Sequence, residues 1–87
     1  MTLLGILRGK GGDGGEVSAT CEVEAAPASG GEALIRFVLR PGQPDGFVAY
    51  KVALLWRGEI MGSWEILPPR LIERHGVELV LRMVPSP

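Results

Sequence analysis

Three groups of residues in this 87-residue chain have types and spacings that could support chemistry. The first is Gly9, Gly11 and Gly14, within Arg8 to Gly15 (RGKGGDGG), which match the G-x-G-x-x-G spacing of dinucleotide-binding loops. Such a loop holds a pyrophosphate only when a helix follows it, because the helix N-terminus supplies the free amides and the dipole. From Glu16 onward the chain alternates apolar and polar residues as a strand does, so no helix is on offer. The Walker pattern fails as well, since neither Ser nor Thr follows Lys10 at the required spacing, and Asp13 alone cannot furnish a calcium loop. Five glycines in the seven residues 9–15 are costly to order, so the stretch 8–15 reads as a flexible connection.

The second group is Cys21 with His75, the only cysteine and the only histidine. A Cys-His nucleophilic pair needs a third, orienting group and a cleft, and the sequence indicates neither. Cys21 falls on the apolar side of an alternating segment and reads as a small buried hydrophobe. His75 reads as a residue of a last helical turn, near its carbonyl end. Two soft ligands cannot make a zinc site, and one cysteine cannot make a disulfide, so neither a metal nor another cofactor is expected. The third group is Glu22 and Glu24, which share the polar side of the same segment. Paired carboxylates can do acid–base work, but alternating exposed positions are ordinarily just solvated. No convergent nucleophile, base and metal ligand emerges, and the chain reads as non-enzymatic.

Charge narrows the partners. Nine Lys and Arg against ten Asp and Glu give a net charge of −1, with no strong electrostatic footprint for nucleic acid or acidic lipid. Arg36, Arg40, Lys51 and Arg57, with Tyr50 and Trp56 nearby, could still line a single-strand-binding face on a small β-barrel. That is the second functional reading. No stretch approaches the roughly 20 apolar residues of a membrane span. Leu3 to Leu7 is too short for a signal-peptide core and has no cationic segment before it, so a cytoplasmic protein is expected. The absence of Asn fits a thermophilic source and GC-rich coding DNA alike.

The elements that would position these residues are strands. Glu16 to Ala25 alternates strictly; Glu32 to Arg40, Phe47 to Trp56, Glu59 to Leu67 and Val77 to Val84 follow, and Thr2 to Leu7 offers a further strand. Turn residues separate them: Pro27 to Gly31, then Pro41 to Gly46. Between Trp56 and Glu59, a three-residue loop, Trp56-Arg57-Gly58, would pair Leu54 with Ile60, Val52 with Gly62 and Tyr50 with Trp64. This keeps apolar residues together, whereas a two-residue loop sets them against Met61, Ser63 and Glu65. Pro68 to Gly76 reads as a short helical turn near residues 69–75, with proline at its start and glycine past its end. The fold class is therefore all-β: one domain over residues 1–87, a small antiparallel sandwich or barrel-like sheet of five to six strands with one helical turn.

One feature of composition bears on function. Val48, Tyr50, Val52, Leu54 and Trp56 form the heavier side of their strand, yet Phe47, Ala49, Ala53 and Leu55 on the other side are apolar too. Val80 and Val84 likewise oppose Val77, Leu79, Leu81 and Met83. A two-layer fold needs one apolar face per strand, and a domain this small is short of buried surface. Phe47, Ala49, Ala53, Leu55, Val80 and Val84 are accordingly the candidate interface residues. The functional expectation is a structural or interaction module that forms a homo-oligomer or docks on a partner protein.

Overall fold

Strict alternation builds the first hairpin. In the computed structural model, which describes residues 2–27, 33–73, 77–81 and 84–85, β1 (Thr2–Lys10) pairs antiparallel with β2 (Glu16–Pro27) in unbroken register from Thr2↔Glu24 to Lys10↔Glu16. The odd residues Leu7, Ala19, Cys21 and Val23 are buried, while the even residues Arg8, Ser18, Glu22 and Glu24 are exposed. Two-residue periodicity is what places the two sets on opposite sides of a pleated sheet.

β3 (Ala33–Leu39) lies beside β2, β4 (Phe47–Trp56) flanks β1, and β5 (Glu59–Ile72) flanks β4. Two short strands, β6 (Val77–Leu81) and β7 (Val84–Pro85), complete the order β6-β3-β2-β1-β4-β5-β7, with every pairing antiparallel. The sheet curls into a half-barrel, which brings β6 into contact with β5 from the opposite end of the strand order. Of the two expected all-β architectures, the barrel-like one forms. Its hollow holds the core: Leu7, Ile35, Phe37, Phe47, Ile66 and Ile72 are its largest fully buried members.

Four expectations need correction. First, the glycine-rich connection is shorter than residues 8–15, because β1 continues through Arg8, Gly9 and Lys10. Gly9 is a strand residue where β1 and β4 pack so closely that a Cβ would run into the Val48 carbonyl oxygen. The loop proper, 11–15, is closed by its own hydrogen bonds. Gly11 N–H donates to Gly15 O at 2.9 Å, Gly14 N–H to Gly11 O at 3.0 Å, and Gly15 N–H to Asp13 Oδ1 at 2.8 Å. Gly14 sits at φ 80°, open to glycine and strained for other residues.

Second, β4 does not keep one face throughout. Arg8 pairs with Lys51 but Gly9 with Ala49, so Tyr50 is an extra residue and the strand changes phase there. Before this bulge the inward residues are Phe47 and Ala49; after it they are Val52 and Leu54. Phe47 and Ala49 therefore belong to the core rather than to a second face, and Val48 belongs outside.

Third, the β4–β5 loop has two residues. Trp56 pairs with Glu59, leaving Arg57 at φ 52° and Gly58 at φ 82°, the paired positive φ values of a type I′ turn. The register then shifts, and Leu54 pairs with Gly62 and Val52 with Trp64. Met61, the extra residue, brings Gly62 and Trp64 opposite Leu54 and Val52, but none of the three pairs expected from a three-residue loop forms, and Ile60 stands outward beside Leu55.

Fourth, no helical turn begins at Pro69. β5 runs through Arg70 and Leu71 to Ile72, which pair with Ala49, Val48 and Phe47, and Ile72 is fully buried. A residue before proline is pushed out of the α region, and Pro68-Pro69 imposes that twice, leaving too few residues to nucleate a helix. The prolines disturb the ladder instead: Ile66 to Pro69 stand against the single Tyr50 between the pairs Glu65↔Lys51 and Arg70↔Ala49. Residues 74–76, the end of the expected turn, lie outside the described residues, and His75 with them.

Candidate functional site

The surface opposite the core can be assembled row by row from the strand register. Leu4 on β1, Leu55 on β4 and Ile60 on β5 are cross-strand partners. One row along come Ile6, Ala53 and Ser63, and one further Arg8, Lys51 and Glu65. β2 flanks these rows with Glu22, Thr20 and Ser18 in the same order. An apolar block of Leu4, Ile6, Ala53, Leu55 and Ile60 is thus bounded by a polar β2 on one side and by the Arg8–Lys51–Glu65 row at one end. A shallow depression of about 270 Å³ lies across it, floored by Ile6, Ala53 and Ile60 and edged by Arg8, Lys51 and Ser63.

Exposure concentrates on β5. Ile60 is 69% exposed and Met61 63%, with Leu67 and Leu71 also more than half or half exposed at 57% and 50%. The bulge explains part of this, since the extra residue has no opposite number to lean on. Of the six interface candidates, Ala53 and Leu55 lie on this outer block, Phe47 and Ala49 are in the core, and the side chains of Val80 and Val84 fall outside the described set. The apolar block itself includes Leu4, Ile6 and Ile60, which sequence reasoning did not name. Their signal was present in Leu3 to Leu7, apolar at successive positions and therefore on both faces of β1.

The four cations that suggested an oligonucleotide face are dispersed. Arg36 is on β3, 4.0 Å from Glu24. Arg40 is in the β3–β4 loop, its N–H donating to Thr20 O at 3.2 Å. Lys51 is three strands further on, beyond β2 and β1, and Arg57 lies over the Trp56 ring at 5.5 Å in the turn. Glu22 and Glu24 on β2 stand between the first pair and the second. Tyr50 donates its hydroxyl to Glu16 Oε2 at 2.8 Å, which raises its pKa, and so does not offer a free stacking platform beside Lys51.

Cys21 is fully buried, its Sγ donating to Gly5 O at 3.6 Å, and desolvation pushes the thiol up to about 12. It is a neutral thiol at physiological pH and a poor nucleophile. Gly5 makes the room: a Cβ there would fall 3.1 Å from Cys21 Sγ and 2.7 Å from Val23 Cγ2. A larger cleft of about 600 Å³ lies at the β3–β4 loop, lined by Leu39, Arg40, Pro41, Gly42, Gln43 and Asp45. Gln43 is committed there, its Oε1 accepting from Thr20 N–H at 2.8 Å. Among the described residues no polar or charged side chain is buried, and no group of His, Cys, Asp or Glu is placed to hold a metal ion. Among them, too, no helix is long and apolar enough to cross a membrane. Comparison with known family models, characterised proteins and solved structures yields no match.

Proposed function

We propose that this chain is a non-catalytic interaction module that self-associates through the outer face of β1, β4 and β5. The observation that carries this reading is the in-register row Leu4–Leu55–Ile60, backed by Ile6 and Ala53, on the side of the sheet away from the core. An antiparallel sheet with one face on a core ordinarily presents polar residues on the other. Apolar residues that recur across three neighbouring strands make a contiguous patch, which marks a docking surface more than scattered single residues do. A second copy is the occupant favoured by economy: one symmetric contact covers the patch on both copies and enlarges the buried surface of a small domain.

The test is a charge placed in the block. Leu55 is half-buried, so Leu55→Glu can be accommodated by a folded monomer, while in a dry interface the carboxylate would meet a desolvation penalty of several kcal/mol on each copy. The expected outcome is a native circular dichroism spectrum with a smaller molar mass than the parent by sedimentation. A variant that keeps the parent's mass would refute the reading, and so would a parent that stays monomeric while another protein occupies the face.

A further inference from the structure

The depression on the outer face brings together two kinds of surface that a single small ligand can use at once. Its floor is apolar, from Ile6, Ala53 and Ile60, and its rim carries Arg8, Lys51 and the hydroxyl of Ser63. Arg8 and Lys51 are direct cross-strand partners, a like-charge pair that is unfavourable in a sheet. Among the described residues neither has an ion-pair partner within 4.0 Å. At about 270 Å³ the hollow is just below the ~300–1,000 Å³ of small-molecule pockets, and it is formed on the curved sheet as it stands.

The neighbouring carboxylates set the charge of the ligand. Glu65 is the other cross-strand partner of Lys51 and closes the cationic row. Glu16 faces Lys10 in the register and accepts the Tyr50 hydroxyl at 2.8 Å. Glu22 stands beside Leu4, at the far end of the apolar block. Setting Glu65 against Arg8 and Lys51, and Glu16 against Lys10, leaves one positive charge in excess at the rim. That excess matches a single carboxylate, whereas a phosphate dianion would overfill it. A guanidinium meets a carboxylate with two parallel N–H donors, and an ammonium adds a point charge beside it.

We propose that this depression binds a small amphiphilic monocarboxylate, its carboxylate between Arg8 and Lys51 and its apolar body on Ile6, Ala53 and Ile60. The site is complete in one copy, so the inference goes beyond self-association and does not rest on it. Octanoate is the probe, followed by amide chemical shifts. A second copy would cover the same face, so the titration is run at two protein concentrations and extrapolated to the monomer. Saturable shifts centred on Ile6, Arg8, Lys51, Ala53 and Ser63 are expected, with a dissociation constant on the order of 1 mM or tighter for so small a ligand. Octanol, which keeps the tail without the charge, should bind about fivefold more weakly, and Arg8→Gln or Lys51→Gln should weaken octanoate by about the same factor without affecting octanol. Both substitutions are on the surface, and circular dichroism checks that the variants are folded. Three results would each overturn the site: no saturable shifts at about ten times that concentration, shifts centred elsewhere, or octanoate binding indifferent to both substitutions. None of them alters the molar mass of the parent, which decides self-association separately.

Discussion

The β1–β2 and β4–β5 hairpins lie side by side in one sheet and reach their pairing by different means. β1 and β2 run in unbroken register over nine pairs and join through a self-bonded loop. β4 and β5 change register twice, at Tyr50 and Met61, and β5 carries two consecutive prolines. In the regular hairpin β2 separates its faces, with the core on one side and Glu16, Ser18, Thr20, Glu22 and Glu24 on the other, while β1 turns only Leu4 and Ile6 outward as apolar residues. The irregular one has apolar residues on both. The contrast teaches that bulges here re-aim side chains. One sends Phe47 and Ala49 inward and Val48 outward; the other leaves Met61 and Ile60 on the surface.

The sharpest way to break the comparison is at the contact between the two halves. Gly9→Val should destabilise by about 3 kcal/mol, since the new side chain meets the Val48 backbone and neither strand can give way without losing its ladder. Gly12→Ala, in the same glycine run but with nothing within 4 Å of the added carbon, should change stability by less than about 0.5 kcal/mol. Urea midpoints compare the two, and similar losses would show that Gly9 is not a packing position.

Cys21 tests the regular half. An unfolded thiol ionises near pH 9.0 and the buried one near 12, so above pH 9 the folded state holds a proton that the unfolded state has lost. Stability must then fall as pH rises, by about 1.4 kcal/mol between pH 8 and 10 from this group. Cys21→Ala should be the less stable protein at pH 7 yet lose less stability over that interval. Parallel pH profiles for the two proteins would rule out a desolvated thiol.

The irregular half is tested at its turn. Gly58→Val should cost roughly 1 kcal/mol, because a β-branched residue resists φ 82°. Arg57→Asn should stabilise by about 0.5 kcal/mol, since Asn accepts the left-handed φ of 52° that Arg57 is held in. A neutral Gly58→Val would remove the type I′ turn.

Legibility followed the same divide. The strand at 16–25, the core position of Cys21 and the limits of Phe47–Trp56 could be read from alternation and turn residues, which are local signals. The phase change at Tyr50 could not, because Phe47 to Leu55 is apolar at nearly every position and either face could have been inward. Only the close approach of Gly9 decides it, forty residues away in sequence. Pro68-Pro69 was read as a helix start because proline suits that position, but the pairing of Leu71 with Val48 and the burial of Ile72 outweigh a nine-residue helix with no partner. The outer apolar block was half visible, through Ala53 and Leu55. Its β1 contribution was hidden in Leu3 to Leu7, where no polar residue breaks the run to mark which positions face outward.

Self-association is the central claim, and the molar mass of the unmodified protein tests it most directly. Equilibrium sedimentation should be run from low micromolar concentration upward at low and at moderate salt. The account predicts a mass that rises with concentration towards twice the 9.3 kDa of the chain at both salt concentrations, since burial of the apolar block carries the association. A mass fixed at 9.3 kDa across the whole range would contradict it.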